Sequence, residues 1–250
     1  MKIKVSKVSV PQLSGFVKKM LLMDTSVYLN VNSEKVWSDV YLPTKDVVKS
    51  FSLPCGEIFE FDKKLEGTIK FSFFSGAKLL SCLNYFDPHN LSAEISVFKD
   101  EDSDEDVYFA EKLILKDNQL KIEIYCQDIS YGFTSMTPAQ VERAYDLSTN
   151  KFSFQLSSEN LSKIGSFATL DKSELFSIYS DKSGVHLKTE TLDFIIDDHY
   201  NKDEDEFQLF KSFLSRVDKE TYDVDVCSNK IILTSTQSET KIAINLAITA

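Results

Sequence analysis

Six cations sit on four short stretches that are almost free of acid. Residues 11–23 hold Lys18 and Lys19, residues 76–86 hold Lys78, residues 158–169 hold Lys163, and residues 208–217 hold Lys211 and Arg216. Glu159 is the one acid in these stretches, which therefore carry a net charge of +5. The 250-residue chain as a whole carries −11, leaving −16 for the remainder. Any one of the six reads equally well as a solvated helix lysine or arginine; their joint segregation from the acids is what carries information. Long cationic side chains attract phosphates without reading bases, so the chemistry they offer is sequence-independent binding of a polyanion.

Other reactive groups form no recognisable frame. There is no nucleophile elbow, phosphate loop, metal-ligand cluster or framed pair of carboxylates, so neither an enzyme nor a cofactor is expected. Asp100, Asp102, Asp104 and Glu111 fall where a calcium-binding EF-hand loop has positions 1, 3, 5 and 12. Position 6 requires Gly for a sharp turn and here is Glu105, and both flanks read as strands, so an acidic hairpin loop is favoured over a metal site. Asp203 to Glu206 reads as a solvated acidic loop. Cys55, Cys82, Cys126 and Cys227 are widely spaced in apolar stretches and read as small buried hydrophobes, not as a disulfide framework or zinc site. His89, His186 and His199 stand in no motif.

The elements that must position the cations follow from periodicity. A hydrophobic content of 42% supports real cores, and 7 Gly and 5 Pro exclude collagen-like and linker-rich chains. No apolar run approaches the roughly 20 residues that cross a bilayer. Met1 to Val5 alternates like a strand, so no signal peptide is expected and a cytoplasmic location is. Leu13, Phe16, Val17, Met20 and Leu21 make an apolar stripe of helical period, with Ser9 and Gln12 at capping-box spacing. Ser75 and Ser157 offer N-caps to helices beginning at Gly76 and Ser158. Residues 212–216 make at most a short helix. Strands are expected at 26–29, 35–42, 47–53, 68–73, 93–98, 108–115, 120–125, 151–156, 176–179, 185–189, 207–210, 222–226, 230–234 and 241–247. The chain thus gives strand, helix and strands twice, with 129–150 as a connector between domains at 1–128 and 151–250.

That order of elements, with Phe152-Ser153-Phe154-Gln155-Leu156-Ser157, Leu161, Ile164, Gly184-Val185-His186-Leu187, Asp117-Asn118-Gln119-Leu120-Lys121-Ile122, and Phe207 through Tyr222-Asp223-Val224, resembles the DNA sliding clamps. Among them the chain is most similar to the two-domain clamps of T-even-type phages. The likeness spans nearly the whole chain as pattern and spacing rather than as one diagnostic motif. It implies an α+β DNA-clamp fold of two similar domains, each with antiparallel sheets outside and two short helices inside. It further implies a homotrimeric ring around double-stranded DNA, serving a DNA polymerase and a clamp loader, in the host cytoplasm if phage-encoded. Lys18, Lys19, Lys78, Lys163, Lys211 and Arg216 would then face DNA, and an acidic exterior would keep DNA off the outside. Tyr131, Phe133 and Met136 in the connector are ordinary packing residues on their own; the resemblance offers them as a pocket for partner peptides. Two competing readings are a monomeric clamp-like factor that clings to DNA by a basic face, and a virion structural protein.

Overall fold

The computed structural model describes residues 1–88, 90–101, 106–128, 135–200 and 202–247. The chain forms two compact units, Met1–Pro43 with Phe51–Ser135 (unit 1) and Thr44–Ser50 with Met136–Ala250 (unit 2). Unit 1 runs β1 (Lys2–Val8), α1 (Val10–Leu21), β2 (Val27–Val31), β3 (Lys35–Tyr41) and the second half of β4 (Val47–Pro54). The single turn α2 (Cys55–Ile58) and β5 (Phe59–Phe61) follow. Then come β6 (Thr68–Phe73), α3 (Gly76–Leu83), β7 (Ser92–Lys99), β8 (Val107–Lys116) and β9 (Lys121–Tyr125). Unit 2 runs α4 (Pro138–Ala144), β10 (Asn150–Leu156), α5 (Ser158–Leu170), β11 (Leu175–Asp181), β12 (Gly184–Lys188), β13 (Asp193–Asp197) and β14 (Glu204–Phe210). A 3₁₀ turn (Lys211–Ser215) leads to β15 (Tyr222–Cys227), β16 (Lys230–Ser235) and β17 (Glu239–Asn245).

Pairing repeats along with element order. In unit 1 the strands neighbour one another as β1-β7-β8-β9 and as β4-β3-β2-β6, and β6 meets β8 in parallel. In unit 2 the corresponding runs are β10-β15-β16-β17 and β13-β12-β11-β14. Helix α1 follows β1 as α5 follows β10, and α3 follows β6 as the 3₁₀ turn follows β14. The expected α+β duplication is therefore present in connectivity as well as in sequence pattern.

Alternation fixes the faces of these strands. Val5, Ile95, Leu113 and Leu115 are buried, while Lys4 pairs across with Glu94 on the opposite face. The helices bury matching stripes. Leu13, Phe16 and Met20 of α1 correspond in spacing to Leu161, Ile164 and Ala168 of α5, all buried. Phe16 meets the Phe51 ring at 4.6 Å. Gly76 opens α3 against α1; a Cβ there would lie 2.6 Å from Val27 Cγ2 and 2.8 Å from Leu21 Cδ2. Gly184 turns the β11–β12 hairpin at φ +138°, a backbone state that favours glycine.

Several expectations change. Ser9 is the N-cap of α1, but its side chain accepts nothing, so the Ser9/Gln12 capping box does not form. Its backbone N–H already donates to the Ile58 carbonyl at 2.9 Å, which leaves Gln12 no donor to satisfy. A full capping box instead joins Thr137 and Gln140 at the head of α4, inside the stretch read as connector. The acidic residues from Glu204 onward belong to β14 rather than to a loop, and β13, α2 and β5 are additional.

Candidate nucleic-acid interface

Unit 1 places three of the six cations on two adjacent helices. Lys18 is exposed and Lys19 half-buried in the last turn of α1, where positive charge also complements the helix dipole. Lys78 is exposed in the first turn of α3, whose N-cap Ser75 accepts from the Lys78 N–H at 3.2 Å. Neither helix contains an acid. Gln12, Gly15 and Lys18 line the outer stripe of α1, and Ala77, Lys78 and Ser81 that of α3. The close approach at Gly76 sets the spacing between the two.

Unit 2 uses its cations differently. Lys163 on α5 pairs with Glu159 one turn earlier at 2.7 Å and holds that carboxyl below its usual range. Lys211 is half-buried, and its ammonium donates at 2.5 Å to the carbonyl of Asp171, the C-cap of α5. The Asp171 carboxylate accepts from Thr189, Thr191 and the Ser173 N–H, which lowers its pKa to about 2. Arg216 is half-buried just past the 3₁₀ turn, and its carbonyl accepts from the fully buried Lys49 at 3.3 Å.

Between α5 and the 3₁₀ turn with the segment that follows it lies a groove of about 470 Å³, flanked by Ser162, Ser166 and Thr169 on one side and by Leu214, Val217 and Lys219 on the other. The three hydroxyls donate to carbonyls of their own helix. Lys219 is exposed, but it lies outside the four acid-poor stretches and between two acids, Asp218 and Glu220, so the charge pattern does not single it out. The fold diverts both acids. Asp218 pairs with Lys49 at 2.8 Å, and Glu220 accepts from Ser235 at 2.5 Å and Ser238 at 2.6 Å.

The other candidates fall as follows. Tyr131 and Phe133 lie outside the described residues, as do Asp102, Asp104, Glu105 and His89; Met136 is half-buried beside the start of α4. Asp100 and Asp106 flank the β7–β8 connection, where the Asp100 N–H donates to the Val107 carbonyl and Lys99 pairs with Asp106 at 2.6 Å. Glu111 belongs to β8 itself. All four cysteines are free, Cys55 and Cys227 buried and the others half-buried. Burial pushes the Cys55 thiol to about 11 and that of Cys126 to about 12, which suppresses thiolate chemistry.

No protein-family model matches the chain, and no curated protein matches it. Solved structures do. A. fulgidus PCNA, bound to the C-terminal region of FEN-1, superposes with a TM-score of 0.67 at 12% identity over 99% of both chains. A PCNA2–PCNA3 complex from Sulfolobus tokodaii gives 0.64 at 12% identity over 98% of this chain and 99% of that one. The DNA polymerase III subunit beta of Pseudomonas aeruginosa gives 0.62 at 11% identity, over all of this chain and 65% of the longer one. The chain has the DNA-clamp fold.

Proposed function

We propose that this clamp-fold chain is a sliding clamp, a non-enzymatic processivity factor that encircles duplex DNA as a ring of three and tethers a replicative polymerase. The observation that carries this reading is the pair of acid-free helices α1 and α3, side by side and bearing Lys18, Lys19 and Lys78, in a chain of net charge −11. Contacts made by lysine to phosphate leave register free, so the protein can slide while topology retains it. Lys163, Arg216 and Lys219 would be the cations that unit 2 contributes, with Lys211 bracing α5. Ring closure needs two complementary edges on each copy. Among the described residues β9 pairs with β8 alone, and β13 ends its four-stranded sheet; each carries an exposed large apolar side chain, Tyr125 (62%) and Ile195 (45%). Such edges pair readily with another chain. Polymerase and clamp loader would dock through short peptides near Met136, and the complex would work in the cytoplasm, of a host cell if phage-encoded.

Solution mass tests the assembly. One chain weighs 28.5 kDa, and three weigh 85.5 kDa. A sedimentation mass near the larger value, with retention on closed circular DNA and loss after linearisation, is the expected result. A 28.5 kDa species lost equally from both DNA forms would favour a monomeric factor with a basic face. A large assembly with no DNA association would favour a virion structural protein.

A further inference from the structure

A second cationic site lies in unit 1, away from the helices. The strand β1 and the segment after β5 border a half-open cleft of about 580 Å³ whose walls include Ile3, Lys4, Lys63, Lys64, Leu65 and Tyr108. The Asp62 N–H donates to the Lys4 carbonyl at 3.2 Å and fixes one wall to the other. Lys2, also at the cleft, is drawn to Glu94 at 2.7 Å. Lys4, Lys63 and Lys64 are exposed, and among the described residues none has a carboxylate within ion-pair distance. Leu65 is buried, and Ile3 and Tyr108 are half-buried, so the cations surround an apolar surface with one aromatic ring. Asp62, Glu66 and Met1, whose terminal ammonium donates to the Val97 carbonyl, complete the lining.

We propose that this cleft binds a nucleoside phosphate. Its size falls in the range of small-molecule sites, which combine an apolar surface with a few converging polar groups. The exposed ammonium groups of Lys63 and Lys64, with that of Lys4, which also faces Glu94 across the sheet, suit phosphate oxygens as point charges. The Tyr108 ring offers a face on which a base can stack, and stacking tolerates any base. Asp62 and Glu66 accept hydrogen bonds from a ribose hydroxyl or an exocyclic amine, and they repel a purely anionic ligand such as an acidic peptide. The ligand is either a free nucleotide or one nucleotide of a single strand; the phosphate and base chemistry is the same.

The site does not depend on the clamp reading, and the test keeps the two apart. Binding is measured by fluorescence anisotropy on the Lys18→Glu/Lys78→Glu variant, in which the helix face is disabled. Three probes are used: labelled ADP, a labelled 5′-phosphorylated pentathymidylate, and a labelled hexaglutamate. Saturable binding of ADP assigns a free nucleotide, and binding of the oligonucleotide alone assigns a strand; both support the site. Lys63→Glu/Lys64→Glu is expected to weaken binding at least about 10-fold, or about 1.4 kcal/mol. Tyr108→Ala is expected to weaken it about 5-fold, with Tyr108→Phe near the parent value. Absence of binding by both nucleotide probes up to about 1 mM, equal binding of hexaglutamate, or indifference to the lysine reversals would overturn the proposal.

Discussion

An ammonium group that already donates to a carbonyl has less to offer a phosphate, and the cations divide on that line. Lys18 and Lys78 stand exposed on helices without acids, whereas Lys211 is bound to the Asp171 carbonyl. Lys18→Glu/Lys78→Glu is therefore expected to weaken duplex binding and to reduce its salt slope by about 1 for each lysine that neutralises a phosphate. Its denaturation midpoint should stay near the parent, since both sites are exposed and a carboxylate that opposes the dipole at the end of α1 complements it at the start of α3. A slope unchanged in a salt titration would remove these two from the interface. Asp171 gives a second residue-scale expectation. Its folded pKa of about 2 lies below the ordinary carboxylate value, because two threonine hydroxyls and the Ser173 N–H favour the charged form. The unfolded chain therefore binds this proton more readily, and the contribution is complete above about pH 4. It is lost as pH falls from there toward 2. Thermal melts between those values should show a smaller decline for Asp171→Asn than for the parent; parallel declines would exclude Asp171 as a source of acid lability.

Helix starts give the comparison at the scale of elements. Ser157 accepts from the Asn160 N–H at 3.1 Å, while Ser9 caps nothing with its side chain. Ser157→Ala should cost about 1 kcal/mol in urea unfolding, and Ser9→Ala less than about 0.5. Equal losses would mean that the capping geometry does not govern these helices. Both serines look alike in the sequence, and the fold separates them: the Ser157 side chain caps its helix, while at Ser9 the backbone N–H is held by Ile58 and the side chain makes no cap bond. That local patterns do not carry such differences explains the rest of what was hidden. Strands with strict alternation, such as Thr68–Phe73, and hairpins with turn residues, such as Asp117 and Asn118, were legible because their signal is local. β13 was not, since its centre Phe194-Ile195-Ile196 is short and unalternating and its pairing to β12 decides it. α4 was hidden because none of its residues is buried, so no apolar stripe marks it, although Thr137 and Gln140 did carry a capping signal. At the candidate interface, the cation positions were legible but their availability was not. Lys219 became visible only after folding turned Asp218 and Glu220 toward other partners.

Across the whole molecule, charge is less simply divided than an acidic outside and a basic inside. The exposed face of the β1-β7-β8-β9 run carries Lys2, Lys4, Lys112, Lys116 and Lys121 against Glu94 and Glu123. Lys2 pairs with Glu94 at 2.7 Å, and Glu123 bridges Lys112 at 2.9 Å and Lys121 at 2.6 Å. A sheet face that is net positive cannot by repulsion alone keep DNA off that surface. On the proposed clamp reading, retention would rest on closure rather than on where charge is absent, and closure has a kinetic signature. A protein held by phosphate contacts alone loses affinity steeply with salt, at nearly one log unit per phosphate neutralised for each tenfold rise. A closed ring leaves circular DNA at the rate at which an interface opens, and that rate is not set by counterion release from the duplex. Loaded chains on nicked circles are therefore expected to change their lifetime less than about 3-fold between 50 and 200 mM salt, the interval over which several phosphate contacts would cost orders of magnitude. On linear DNA the same chains should run off the ends at every salt concentration. Lifetimes on circles that fall in step with the equilibrium affinity would mean that the lysines of α1 and α3 hold the DNA and that no ring encloses it.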